Sequence, residues 1–176
     1  NLAALRSRDM FECNQVINLT EPNGNLTTVT SLSLFNCKRI THLPETVGNL
    51  AALQSLSLNS CNQLIRLPDT IGNLTLLSTL DVDKCTQITH LPNSIGNLTA
   101  LRSLDLFECK QLINLPDTIG NLTTFTSLNV FNCTRHTHLP ETDGKLAPLH
   151  TMSLNKTQQI TRLPDTPAKT PPYTTP

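Results

Sequence analysis

Hydrophobic residues recur along the chain at a fixed spacing. In one well-preserved stretch, Leu101 is followed by Leu104, Leu106 and Cys109, and this L-x-x-L-x-L-x-x-C spacing returns every 24 residues. Leu104 and Leu106 alternate with polar residues, which is the two-residue period of a short, half-buried β-strand. Each unit is therefore predicted to contain one strand.

The cysteines mark the repeat most clearly, because they are spaced 24 residues apart. They are Cys13, Cys37, Cys61, Cys85, Cys109 and Cys133. About seven such units fill residues 1–164, the first of them truncated. Residues 165–176 are rich in Pro and Thr and are expected to be an extended or disordered tail. Because the chain begins within a repeat, we expect it to be a fragment of a larger multidomain protein.

The segment between two strands is predicted to turn back without a long helix. Pro116 and Gly120 interrupt it, so tight turns or a short 3₁₀ helix are expected there. A single unit cannot bury its Leu face alone, whereas stacked units bury one another's. The pattern predicts an α/β solenoid with a parallel β-sheet on the concave face and turns or short 3₁₀ segments on the convex face.

With its L-x-x-L-x-L-x-x-C core and 24-residue period, the chain resembles the leucine-rich repeat family. The L-P-D-T-I-G-N-L-T-L-L segment at residues 67–77, followed by Cys85, is similar to the intracellular repeats of plant disease-resistance receptors. The resemblance implies a horseshoe-shaped domain that binds another protein on its concave face. It also implies a cytoplasmic receptor or signalling protein.

Charge and composition exclude several other classes. Lys plus Arg and Asp plus Glu are 13 each, so no net field attracts nucleic acid. No apolar run approaches the roughly 18 residues that a membrane span needs, so we expect no membrane insertion. The isolated glycines form no phosphate-binding loop, and we expect no cofactor.

The cysteines could form disulfides, a metal cluster or a column of buried thiols. Cysteines on neighbouring strands lie close enough for a disulfide, but their side chains point in parallel, so bonding would distort the turns. One column cannot surround a zinc ion. The spacing favours buried, reduced thiols, which suit a reducing compartment.

Two pairs of carboxylates are candidates for acid and base chemistry, namely Asp81 with Asp83 and Asp105 with Glu108. On an open sheet nothing should exclude water or shift their pKa values, and no nucleophile recurs beside a base. We therefore expect no enzymatic activity and no catalytic residues.

The residues that alternate with the core Leu should face outward on the concave sheet and form the partner-binding surface. One column places four of the five Phe residues together with Asn and Asp, which is difficult to explain by core packing. Exposed aromatics usually mark contact sites, although stacked rings could simply stabilise the sheet. The predicted contact residues are Phe11, Phe35, Phe107, Phe131, Asp9, Asp81, Asp83, Asp105, Asn59 and Asn129.

Repeated Asn-Leu-Thr sequences support an alternative function. They occur at Asn18, Asn25, Asn73, Asn97 and Asn121. In a secreted protein they would accept N-glycans, and the chain would be an extracellular structural protein that binds cell-wall polysaccharide or ice. The favoured interpretation is that the turn uses Asn and Thr for local backbone hydrogen bonds.

Overall fold

The computed structural model describes residues 7–9, 28–135 and 149–153. Within these ranges, seven strands form one parallel sheet in chain order. The strands are β1 (Ser7–Asp9), β2 (Ser31–Ser33), β3 (Ser55–Ser57), β4 (Thr79–Asp81), β5 (Ser103–Asp105), β6 (Ser127–Asn129) and β7 (Thr151–Ser153). Each residue pairs with its equivalent in the next repeat, as Leu80 does with Leu104. The predicted parallel sheet is confirmed.

A short 3₁₀ helix lies on the return path of each central repeat. These helices span Glu45–Asn49, Asp69–Asn73, Asn93–Asn97 and Asp117–Asn121, and each follows a proline in extended conformation. Proline fixes its own φ near the helical value and restrains the residue before it, so it sets where the chain changes direction. The predicted 3₁₀ segments are confirmed, and the described residues contain no α-helix.

The core is a stack of equivalent apolar side chains from successive repeats. Leu80 and Leu104 of the strands, and Ile71 and Ile95 of the 3₁₀ helices, are completely buried between the two sides of the solenoid. Phe125 occupies the column that holds Leu77 and is also buried. The repeats therefore share one continuous core, and each repeat depends on its neighbours for burial.

Gly48, Gly72 and Gly96, each in a 3₁₀ helix, allow neighbouring repeats to approach closely. A Cβ atom on Gly72 would lie 2.6 Å from the carbonyl oxygen of Ser94 and 2.7 Å from its Cβ. Both distances are shorter than a van der Waals contact, so a larger residue would push the two repeats apart. Gly72 thus maintains the contact between repeats on the convex side.

Several predictions concern residues outside the described ranges. They include the predicted extended tail at residues 165–176 and the predicted contact residue Phe11. Both stay predictions.

Candidate binding surface

The outward positions on the sheet are where the alternation predicted them. In β3, Leu56 is buried while Ser55 and Ser57 are partly exposed, and β5 shows the same pattern. Backbone hydrogen bonds between repeats continue beyond the strands, since Lys84 N–H donates to the Phe107 oxygen at 2.7 Å and Glu108 N–H to the Phe131 oxygen at 2.9 Å. The Phe column is therefore held in the same register as the strands.

The chain turns inward immediately after this column. The residue before each described cysteine has a positive φ, which is 57° at both Lys84 and Glu108. Few residues other than Gly and Asn adopt this left-handed conformation readily, and it costs about 1 kcal/mol. The turn directs the next residue, Cys85 or Cys109, into the core.

Phe107 and Phe131 form a stacked pair on the outward face. Their ring centroids are 5.5 Å apart and their planes are inclined by 9°. Both rings are partly exposed, and Phe35, three strands away from Phe107, has 43% of its surface exposed. The stack links the repeats of β5 and β6, as expected if it stabilises the sheet. It also leaves apolar surface exposed on the face of the sheet, as expected of a contact site.

The carboxylate of Asp81 organises the neighbouring polar groups. Its Oδ2 accepts a hydrogen bond from the Ser57 hydroxyl at 2.8 Å, and its Oδ1 accepts one from the Asp83 N–H at 3.0 Å. Asp83 Oδ2 in turn accepts a hydrogen bond from Asn59 Nδ2 at 2.9 Å. The structure therefore brings together three of the predicted contact residues, Asn59, Asp81 and Asp83.

The next repeats use the same arrangement to hold the aromatic pair. Asp105 Oδ1 accepts hydrogen bonds from the Phe107 N–H at 2.9 Å and from Asn129 Nδ2 at 3.0 Å. Asn129 Oδ1 accepts one from the Phe131 N–H at 3.1 Å. Asp105 and Asn129 thus fix the backbone from which the two rings project. Asp9 is exposed at the end of β1, away from this group.

Asp83 has an unusual environment for a residue on an open sheet. Burial raises the pKa of its carboxyl group above the ordinary 3.8, and the like charges of Asp105, Asp81 and Glu108 add to the rise, while Lys84 opposes it. Its Oδ1 atom is buried without a hydrogen-bond partner. The expectation that nothing shifts the pKa values of these carboxylates is therefore wrong for Asp83, because neighbouring repeats cover it to a side-chain exposure of 16%.

Lys84 is the cation beside this group. Its Nζ lies 3.8 Å from Asp83 Oδ2 and 5.5 Å from the centroid of the Phe107 ring. Lys84 was not among the predicted contact residues, although the equivalent position one repeat later holds Glu108 and its neighbour Asp83 is acidic. The ammonium group connects the acidic and aromatic parts of the surface.

The five cysteines in the described ranges have buried thiols. Thiols of successive repeats donate to carbonyl oxygens 27 residues earlier, as Cys61 does to Leu34 at 3.0 Å and Cys85 to Leu58 at 3.2 Å. Burial raises the pKa of the Cys133 thiol to about 12 and that of Cys109 well above its ordinary value. The predicted column of buried thiols is confirmed for these residues, and the raised pKa values make Cys109 and Cys133 poor nucleophiles.

The Asn-Leu-Thr sequences lie on a different side of the solenoid. Asn73, Asn97 and Asn121 end their 3₁₀ helices with exposed side chains. Thr75 N–H and Thr99 N–H donate to the backbone oxygens of Asn73 and Asn97, at 2.9 Å each. No hydrogen bond involves the side chains of these residues in the described part of the chain. The expectation that these side chains serve local backbone hydrogen bonds is therefore wrong here.

The described residues contain no group of His, Cys, Asp and Glu side chains that could hold a metal ion. In the same part of the chain, no helix combines the length and the apolar character needed to cross a membrane.

Comparison with known proteins agrees with the repeat pattern. The family model described as "Leucine-rich repeat region" matches residues 2–135. No curated protein matches the chain. Among solved structures, the leucine-rich repeat domain of the type III effector XCV3220 (XopL) is 26% identical with a TM-score of 0.56, and the match covers 73% of this chain and 54% of that one.

The leucine-rich repeat protein LIC12759 of Leptospira interrogans is 24% identical with a TM-score of 0.47, over 90% of this chain and 50% of that one. The chain thus spans about half the length of these two structures. Since the family model matches most of the sequence and the repeats form the expected parallel solenoid, the chain belongs to the leucine-rich repeat family, whose sheets provide extended surfaces for binding other proteins.

Proposed function

We propose that the chain captures another protein on its concave face through the Phe column and the polar residues beside it. Repeats of this family generally act as non-enzymatic scaffolds that bind proteins. The observation that carries the proposal is the stacked, partly exposed pair Phe107 and Phe131 on an open sheet. An aromatic pair with a preorganised backbone gives large apolar contact area at low entropic cost, as binding hot spots do.

We further propose that the chain is the recognition part of a larger cytoplasmic receptor or signalling protein. The column of buried thiols supports a reducing compartment, where thiols persist. The resemblance of residues 67–77 to plant intracellular repeats supports the same role. In such a protein the concave face would bind the partner, and other domains would transmit the signal.

The concave-face proposal is tested by removing the aromatic surface without disturbing the core. Phe11, Phe35, Phe107 and Phe131 are replaced together by Ser, and proteins retained by the variant and by the original chain are quantified from the same extract. We expect an unchanged circular dichroism spectrum and a loss of the retained partner.

The matched control places the same type of change on other sides of the solenoid. Ile65 and Leu76 are exposed to 44% and 51%, and neither belongs to the concave columns. Ile65→Ser with Leu76→Ser should leave partner capture intact. If the Phe variant retains the same proteins at the same yield as this control, the concave face is not the binding surface.

The exposed Asn-Leu-Thr sites favour a second candidate function, that of a glycosylated extracellular protein that binds a repetitive surface. Asn73, Asn97 and Asn121 are exposed at the ends of their 3₁₀ helices, and their side chains make no hydrogen bond within the described residues. The intact mass of protein from its natural source, measured before and after alkylation in denaturant, separates the two functions. Six alkylated thiols and no added mass support the intracellular role, whereas glycan mass or blocked cysteines support the extracellular one.

A further inference from the structure

The concave face carries negative charge in one place only among the strands β2–β6. Asp81, Asp105 and Glu108 lie close enough to Asp83 for their charges to act on its carboxyl group. The equivalent outward positions of β2, β3 and β6 hold Ser, Asn and Phe. Because the whole chain has a formal net charge of +0, this local excess is a property of β4 and β5 and not of the protein as a whole.

The chain does not neutralise this charge itself. Lys84 with Asp83 is the single ion pair in the described residues, and the ammonium group is too far from Asp83 Oδ2, at 3.8 Å, to donate a hydrogen bond. Arg102 and Lys110, the other cations of the same repeats, are exposed and make no ion pair there. Among the described residues, Asp83 is therefore the one carboxylate of the four with a cation within ion-pair distance, and its Oδ1 has no hydrogen-bond partner.

Aromatic surface adjoins the same charge. Lys84 Nζ lies within cation–π distance of Phe107 while it faces Asp83, so one cation at this position contacts a carboxylate and an aromatic ring at once. The Lys84 side chain is 48% exposed and is free to move away. A planar guanidinium group suits the position better than an ammonium group, since it stacks on a ring and donates several hydrogen bonds to carboxylates in a fixed geometry.

We propose that the concave face binds an extended, arginine-bearing segment of a partner protein, whose guanidinium group displaces Lys84 and lies between Asp83 and the Phe107 ring. This inference rests on the proposed concave-face function and names the chemistry of its partner. Residues that flank the arginine contact the Phe107–Phe131 stack and the outward side chains of β5 and β6. Phosphorylated or nucleic-acid partners are disfavoured, because the four carboxylates repel anions.

The test selects peptides on the full chain from a displayed library of random dodecapeptides, and then measures their affinity by fluorescence anisotropy. We expect arginine to be enriched at one position beside apolar residues. Replacing that arginine with citrulline, which keeps the shape and removes the charge, should weaken binding by about tenfold or more.

Variants of the protein locate the contact. Asp83→Asn and Phe107→Ser should each weaken binding of the selected peptide about tenfold. Asp117→Asn, which removes a carboxylate from a 3₁₀ helix on the convex side, should have no effect. Lys84→Gln should tighten binding severalfold, because it removes the cation that competes for the position, whereas a merely structural role for Lys84 would give no change or a loss.

The outcomes separate this inference from the proposed function. Peptides that lose affinity for Phe107→Ser but contain no arginine, or that bind Asp83→Asn normally, overturn the arginine site and leave the concave face as the binding surface. Peptides that bind the Phe107→Ser and Asp83→Asn variants as tightly as the original chain overturn both proposals. Failure to select any binder also overturns the arginine site.

Discussion

The thiol of Cys109 donates a hydrogen bond to the carbonyl oxygen of Val82, 3.2 Å away in the preceding repeat. The same oxygen accepts the Cys85 N–H at 3.1 Å, so it is shared by its own repeat and the next. The bond is completely buried. It explains why a small residue that is both apolar and a weak donor occupies this column.

Replacing Cys109 with Ala removes this bond and leaves a small cavity. We expect the free energy of unfolding to fall by about 1–2 kcal/mol, because a buried hydrogen bond and the packing of a sulfur atom are both lost. Urea denaturation followed by circular dichroism measures the change. Lys110→Ala, at the exposed neighbouring position, should change it by less than about 0.5 kcal/mol. Equal effects of the two substitutions would contradict a structural role for the thiol.

Alkaline pH should destabilise the protein through the same column. The Cys133 thiol has its pKa raised from 9.0 to about 12, and burial also raises the pKa values of Cys85 and Cys109. In the unfolded chain these thiols ionise near 9, so above that pH the unfolded state binds fewer protons than the folded state. The free energy of unfolding should therefore fall steadily between pH 9 and pH 12.

Alkylation at pH 8 gives an independent measure of this protection. Iodoacetamide should modify Cys85, Cys109 and Cys133 slowly in the native protein and rapidly in denaturant. Rapid native modification of these thiols would show that the repeats open far more easily than the buried column implies.

Gly72→Ala should force neighbouring repeats apart on the convex side. A methyl group there would lie within 2.7 Å of two Ser94 atoms, one of which is backbone. We expect a loss of about 1–3 kcal/mol, as for other overpacked sites. The adjacent residue provides the control, since Asn73→Ala changes an exposed side chain in the same 3₁₀ helix and should be nearly neutral. Thermal unfolding of the two variants distinguishes them; a stable Gly72→Ala protein would mean that the repeats separate without cost.

Asp83→Asn is expected to stabilise the fold at neutral pH. The folded-state pKa of Asp83 is raised, so the folded protein holds its proton more strongly and loses stability as pH rises through 3.8 and beyond. The amide removes that loss, and its oxygen still accepts the hydrogen bond from Asn59. Urea titrations at pH 7 and pH 3.5 should show a more stable variant at pH 7 and a smaller difference at pH 3.5. A variant that is less stable at pH 7 would contradict this account.

The repeat architecture follows from the sequence because one spacing controls both burial and register. Alternation around Leu104 predicts which side chains face outward, and the 24-residue period predicts which residues pair, as the Leu80–Leu104 pair confirms. The cysteine column is predictable for the same reason. In each case the pattern of one repeat predicts burial and pairing, because all the repeats stack in the same way.

The environment of Asp83 could not be predicted from one repeat. Its burial, its unpaired oxygen and its proximity to Lys84 depend on side-chain conformations in β3, β4 and β5 together. Likewise, the pattern places Phe107 and Phe131 in one column but does not determine that their rings stack at 5.5 Å. The exposed, unbonded Asn73 side chain differs from expectation because the backbone of its 3₁₀ helix already completes the turn.

The constant register between repeats has a consequence for how such a protein changes over generations. Since the described strands pair residue by residue with their equivalents in the next repeat, copying or deleting one whole unit recreates the same junction on both sides. An insertion or deletion of any other length would place polar residues in the core and apolar residues on the surface. The length of the protein should therefore change in steps of one whole repeat. The outward residues of each repeat can diversify, while the residues that pair between repeats stay constant.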